Sequence, residues 1–185
     1  MTRVLVTGAS GFIGSNLTRN LIKTEDQVSI LVRKKSNLWR INDVISECNV
    51  HTVDLLDFEE IRNIISKVKP EIVYHCASFG VYQNQKDISK MTQTNVVGTS
   101  NLLMALRENS ELERLVNLGS VFEYGSKSNS IKETDPTQPF DSYSVTKVSQ
   151  TKLVEEYSHQ KKLPAVTLRI FTPYGIFEEP GRLIS

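Results

Sequence analysis

Tyr143 and Lys147 stand four residues apart in the segment Y-S-V-T-K, a spacing that on a helix places both side chains on one face. A lysine ammonium close to a phenol favours the phenolate and lowers the tyrosine's pKa. Such a pair suits a general acid/base that moves a proton to or from a sugar or alcohol oxygen, although the same spacing also occurs on solvated helix faces. Ser120, in L-G-S-V-F-E-Y-G, offers a hydroxyl for that same oxygen, or is simply a serine at a strand end or turn. A third group is Gly8, Gly11 and Gly14 in V-T-G-A-S-G-F-I-G-S-N-L. A strand that turns on glycine into a helix presents backbone N–H groups and a positive helix end to a phosphate. A side chain there is expected to hold the backbone away from a pyrophosphate. The spacing G-x-x-G-x-x-G departs from the commoner G-x-G-x-x-G, and by itself it also describes an ordinary turn.

These groups need a scaffold, and strand and helix patterns alternate along the chain. Strands are predicted at Arg3–Thr7, Gln27–Val32, Asn49–Val53, Ile72–Cys76, Leu115–Leu118 and Ala165–Arg169. Between them, apolar residues at helical spacing predict helices at Ile13–Lys23, around Leu38–Ser46, and at Phe58–Val68, Ile88–Arg107 and Ser142–His159; Pro70 stops the third of these. Crossovers of this length make the strands parallel, with right-handed connections. The expectation is therefore an α/β chain with a three-layer Rossmann-like fold. It has a parallel doubly wound sheet of about six strands, helices on both faces, and a ligand at the carboxyl ends of the strands. The widest irregular stretches, Ala77–Asp87 and Val121–Asp141, follow the fourth and fifth strands, and loops that long are uncommon unless they do something.

Bulk properties narrow the field. A length of 185 residues suits one domain. A net charge of +1 argues against nucleic-acid binding driven by bulk charge. No apolar run approaches the roughly 20 residues that span a bilayer, and the N-terminus reads as a strand rather than a signal peptide. Cys48 and Cys76 lack metal-ligand spacing. The expectation is a cytoplasmic protein with free thiols, no metal and no membrane or nucleic-acid partner.

Taken together, the glycine loop, the strand-end serine and Y-x-x-x-K resemble the extended short-chain dehydrogenase/reductase family, and within it the nucleotide-sugar epimerases, dehydratases and reductases. The resemblance runs the length of the chain: Thr7–Leu17, Asp54–Leu55, H-C-A-S at His75–Ser78, T-N-V-V-G-T at Thr94–Thr99, the Ser120 segment, Y-S-V-T-K, and L-R-I-F-T-P-Y-G at Leu168–Gly175. It implies that residues 1–185 form an NAD(P)-binding Rossmann domain. Relatives continue well beyond the Y-G motif, so most of a C-terminal substrate domain is expected to be absent after Phe177–Arg182.

The resemblance also implies roles. Ser120, Tyr143 and Lys147 carry the reaction. Gly8, Ser10, Gly11, Phe12, Ile13 and Gly14 belong to the pyrophosphate loop, Asp54 and Leu55 border the adenine, and Ala77 and Ser78 pass beneath the ribose and nicotinamide. Asn95 shapes the active-site helix, or is a surface polar residue. Lys147 holds the ribose hydroxyls and tunes Tyr143, while Phe171 to Pro173 reach the carboxamide side. The turn after the second strand holds Arg33-Lys34-Lys35 and no acid. A guanidinium pairs with a 2′-phosphate, so NADP(H) is expected over NAD(H), unless the turn is only a solvated basic one.

Dehydratases of the family carry Asp-Glu directly after the strand-end Ser or Thr. Here Val121 and Phe122 stand there, with Glu123 one place further, so dehydration is disfavoured and 4-epimerase or 4-keto-reductase chemistry on a nucleotide sugar stays open. Gly119 departs from the Ser common at that position, and Thr172 from a usual Asn. The alternative is a catalytically incomplete dinucleotide-binding module, a cofactor sensor or interaction partner; intact Ser120, Tyr143 and Lys147 speak against it. The resemblance further suggests a homodimer through helices 88–107 and 142–159 using Leu103, Leu106, Val148 and Leu153, unless those residues face the sheet.

Overall fold

The computed structural model describes residues 1–24, 26–82, 84–126 and 130–179. Gln83 and residues 127–129 of the two long loops, and Pro180, Gly181 and Arg182 after the last strand, lie outside the described residues. Six strands form one parallel sheet in the order β3-β2-β1-β4-β5-β6: β1 Arg3–Thr7, β2 Gln27–Val32, β3 Asn49–Thr52, β4 Ile72–His75, β5 Arg114–Ser120 and β6 Ala165–Ile170. The order reverses between β1 and β4, which places a crevice at their carboxyl ends. Register is continuous there, with Thr7 opposite His75 and His75 opposite Asn117.

Neighbouring residues of one strand point to opposite faces, and both faces of the central strands are buried, which explains their uninterrupted apolar runs. On one face, Leu5, Leu31, Val73 and Leu115 pack against α2 (Phe58–Val68), α4 (Gly98–Leu106) and α5 (Ser142–Gln160). On the other, Val4, Val6, Val28 and Ile30 meet Ile41 and α1 (Phe12–Lys23). Toward the β6 edge no described helix covers the α1 side, and Val166 and Leu168 are 40% and 47% exposed.

Local chemistry sets the helix ends. The Asp57 carboxylate accepts the Glu60 N–H at 3.1 Å to start α2, and Lys69 ends it in the left-handed region at φ 46°, just before Pro70. Leu102, Leu103 and Leu106 of α4 are wholly buried. Leu103 and Leu106 therefore face the sheet and are not available to a dimer, Leu153 packs on the same core, and Val148 is half-buried. The sequence had placed the first two on an outward surface as one option. Their side chains instead join the core shared with α2, α5 and the sheet.

Two expected helices are corrected. The stretch Leu38–Ser46 is a run of turns ending in a 3₁₀ turn at Ile45–Glu47. Its backbone bonds skip three residues, Ile41 to Leu38 and Val44 to Ile41 among them. Leu38, Ile41 and Val44 repeat every three residues, which suits three residues per turn better than 3.6. The expected helix Ile88–Arg107 is α3 (Ile88–Thr92), a π turn (Gln93–Val97) and α4. The wide turn draws Asn95 inward, where its amide clamps the Phe79 backbone on both sides at 2.8 Å. Thr99 Oγ1 donates to the Asn95 carbonyl at 2.7 Å.

Candidate active site

At the crevice, one cleft of about 430 Å³ runs from the β1–α1 turn to the end of β5 and the start of α5. Gly8, Gly11, Phe12, Ile13 and Gly14 line one end; Ser78, Ser120, Tyr143, Lys147 and Pro173 line the other. Gly11 is the N-cap of α1 without a side-chain cap, and the first turn has no acidic residue. The amides of that turn have no partner within the helix, so this helix end could hold an anion.

Two of the glycines are also required by the fold itself. Gly8 has φ +70°, and a Cβ there would stand 2.6 Å from the Ala77 N; one at Gly14 would stand 2.2 Å from the Gly8 carbonyl oxygen. Both are demanded by the protein's own backbone packing. Ser10 is half-buried in the turn outside the cleft lining.

Asp141 fixes the other end of the cleft. Its carboxylate accepts the Ser144 N–H at 2.7 Å, and Ser144 Oγ accepts the Asp141 N–H at 3.0 Å. This capping box starts α5 at Ser142 and sets Tyr143 in its first turn, with Lys147 one turn on. Tyr143 packs against Gly80, where a Cβ would stand 2.9 Å from its ring, and edge-on to Phe122 at 6.3 Å.

Electrostatics at this end differ from expectation. Burial pushes the Tyr143 phenol above its ordinary pKa, while hydroxyls of Ser78 and Ser120 favour the phenolate and Glu123 and Asp141 oppose it. The Lys147 ammonium donates to the Leu118 carbonyl at 2.6 Å and to Gln150 Oε1. Complete burial lowers the lysine to about 8, with Glu123 pulling it back up.

Ser120 ends β5 and caps the short turn Val121–Tyr124, its Oγ accepting the Phe122 N–H at 3.2 Å. Beneath it, wholly buried Glu123 accepts the Ser120 N–H and the Arg169 Nε–H, both at 2.8 Å. A Cβ at position 119 would lie 2.6 Å from Glu123 Oε1, so the departure at Gly119 makes room for this carboxylate. The sequence displayed both residues but not their contact.

The other expected residues divide. Asn95 is buried and joins Phe79, Ser78 and Thr146, so it is not a surface residue. Ala77 donates its N–H to Thr7 Oγ1 at 3.3 Å. Leu55 is a core residue whose carbonyl accepts from Asn101, and exposed Asp54 accepts the Leu56 N–H. Neither lines the cleft. Arg33 is exposed just past β2, its N–H donating to Ser36 Oγ. Phe171 is 55% exposed and outside the lining, whereas Thr172 and Pro173 are inside it. Sequence reasoning missed Gln85 and Glu178, which also line the cleft; they come from irregular segments that carry no periodic signal. Among the described residues no helix is long and apolar enough to cross a membrane.

A parallel sheet wound in this order, with an open glycine turn feeding α1 and Ser, Tyr and Lys gathered at its carboxyl edge, defines a Rossmann-type α/β domain. The chain belongs to the NAD dependent epimerase/dehydratase family, which it matches over residues 4–185. It is 31% identical to the dTDP-D-glucose 4,6-dehydratase of Dictyostelium discoideum, a match covering 98% of this chain and 46% of that protein. Among solved structures it is similar to UDP-glucuronic acid 4-epimerase from Bacillus cereus in complex with NAD (28% identity, TM-score 0.82, 93% of this chain and 57% of that one). It is also similar to Pal from Bacillus thuringiensis (26%, TM-score 0.88, 98% and 60%). The chain spans about half the length of the curated relatives it matches.

Proposed function

We propose that the chain is the dinucleotide-binding part of a nicotinamide-dependent oxidoreductase or epimerase acting on a nucleotide-activated sugar, of 4-epimerase or 4-keto-reductase type. The observation that carries this is the single cleft joining the uncapped start of α1 to Ser120, Tyr143 and Lys147. Amides of residues 12–14 would hold a pyrophosphate, and Ser78, Lys147 and Pro173 would border the nicotinamide end. When bound there, the dinucleotide supplies or accepts the hydride. The chain supplies the proton. Tyr143, a phenol kept protonated by burial, gives its proton to the sugar carbonyl oxygen as that carbon is reduced, and takes it back from the hydroxyl in the reverse direction. Ser120 Oγ hydrogen-bonds the same oxygen as charge develops.

Val121 and Phe122 line the cleft where a dehydratase's acidic pair is expected, while Glu123 is spent on Arg169 and Ser120; this supports epimerisation or reduction over dehydration. Arg33, exposed past β2 with no acid beside it, supports NADP(H) over NAD(H). A second reading, a binding module without turnover, draws on the chain's spanning only about half of its relatives. Hydride exchange with a panel of nucleotide-activated keto-sugars separates the two. Turnover that collapses in Tyr143→Phe is expected, and turnover indifferent to that change removes Tyr143 from the mechanism.

A further inference from the structure

We propose that Gln150 is a positioning residue that holds the Lys147 ammonium in its working place by a hydrogen-bond chain of fixed polarity reaching back to β1. This rests on the reading of Lys147 as a residue of the site. Gln150 is wholly buried one helical turn after Lys147. Its Oε1 accepts from Lys147 Nζ, and its Nε2 donates to Thr99 Oγ1 at 3.0 Å.

The chain runs in one sense only. Thr99 spends its hydroxyl proton on the Asn95 carbonyl at 2.7 Å, so toward Gln150 and His75 it can only accept. His75 therefore carries its proton on Nε2, 2.8 Å from Thr99. Its Nδ1 then accepts from Thr7 Oγ1 at 2.6 Å, and Thr7 in turn accepts the Ala77 N–H. With Thr99 as acceptor, the Gln150 amide must turn its NH₂ there and its carbonyl to the lysine. The opposite orientation would set two donors against each other at Lys147 and two acceptors against each other at Thr99.

Lys147 thus meets two neutral oxygens, Gln150 Oε1 and the Leu118 carbonyl. No carboxylate lies within ion-pair distance among the described residues. Two of its three N–H donors are committed and one remains for the cleft it lines. The titratable groups facing it are Glu123 after β5 and His75 and Cys76 at the end of β4, and Tyr143 on α5 lines the same cleft. Since burial already lowers the lysine to about 8, an acceptor on the ammonium decides whether it stays charged near neutral pH.

The test follows the Lys147 ε-carbon by NMR titration in the full chain, with the signal assigned by its loss in Lys147→Arg. Gln150→Met, of similar length without an acceptor, is expected to lower the midpoint by about one pH unit or more. Gln150→Glu, which keeps an oxygen toward the lysine and adds charge, is expected to raise it. An unmoved midpoint in a folded Gln150→Met protein overturns the proposal. If that variant does not fold, a midpoint that fails to rise in Gln150→Glu does the same. The readout needs no substrate, so it stands apart from the proposed activity: a fully active Lys147→Ala protein would sink that activity's assignment and leave the Gln150 contact to be judged by titration.

Discussion

Substituting Gly119 by alanine tests whether the floor of the site is built as described. The added Cβ would stand 2.6 Å from Glu123 Oε1, 2.8 Å from Thr167 Cγ2 and 3.2 Å from Arg169 Cγ. A carboxylate at the end of a free side chain would swing aside at little cost, but this one is held by Ser120 and Arg169, each at 2.8 Å, and is wholly buried. Moving it gives up part of a charge-assisted hydrogen bond, worth about 1.5–3 kcal/mol, and overpacks a strand pair, which costs about 1–3 kcal/mol. We expect a loss of about 2–4 kcal/mol, which for a domain of this size is a fall of roughly 5–15 °C in melting temperature. Thermal and urea unfolding of Gly119→Ala, Glu123→Ala and the double variant form a double-mutant cycle. With the carboxylate gone, the alanine meets mainly Thr167, so the two changes are expected to couple by about 1–3 kcal/mol. A Gly119→Ala protein that melts with the parent, or strict additivity, refutes the contact.

Folding holds His75 neutral, with its pKa pushed down to about 3 by complete burial and by Lys147, whereas the unfolded chain protonates it below about 6.5. Unfolding then takes up a proton between those limits, so stability is retained above that window and falls as acid is added through it. The slope is about 1.4 kcal/mol per pH unit, and urea unfolding at pH 7 and pH 5 should lose most of it in His75→Asn; an unchanged slope contradicts the assignment. Arg33→Ala is expected to weaken NADP(H) binding about 10-fold or more while leaving NAD(H) nearly unchanged. Tighter binding of NAD(H) than of NADP(H) by the unaltered protein defeats the preference.

The central strands were legible because their buried positions carry short apolar runs such as Val4-Leu5-Val6 and Ile72-Val73, and glycine and proline punctuate strand ends. All six expected strands are present within a residue or two of their predicted limits. What failed was periodicity at its weakest contrast: a repeat of three in Leu38, Ile41 and Val44 imitates a helix over so short a stretch. The π turn at Asn95 inserts one residue with no compositional mark, so a continuous helix was the natural reading. Tyr143, Lys147, Ser120 and the glycines announced the site by type and spacing. Gln150 and Glu123 did not, because their importance lies in buried contacts with distant or unremarkable residues such as Thr99 and Arg169. The upward shift of the Tyr143 phenol was hidden for the same reason: spacing puts two groups on one face, but it does not show how deeply they are buried.

The central claim is that a nicotinamide dinucleotide lies across the carboxyl ends of β1, β4 and β5. A crystal structure grown with excess NADPH tests it most directly. The account predicts the pyrophosphate against the amides of residues 12–14 and the nicotinamide beside Ser120 and Tyr143. Coenzyme bound elsewhere, or a cleft filled by the segment around Glu178, would contradict it.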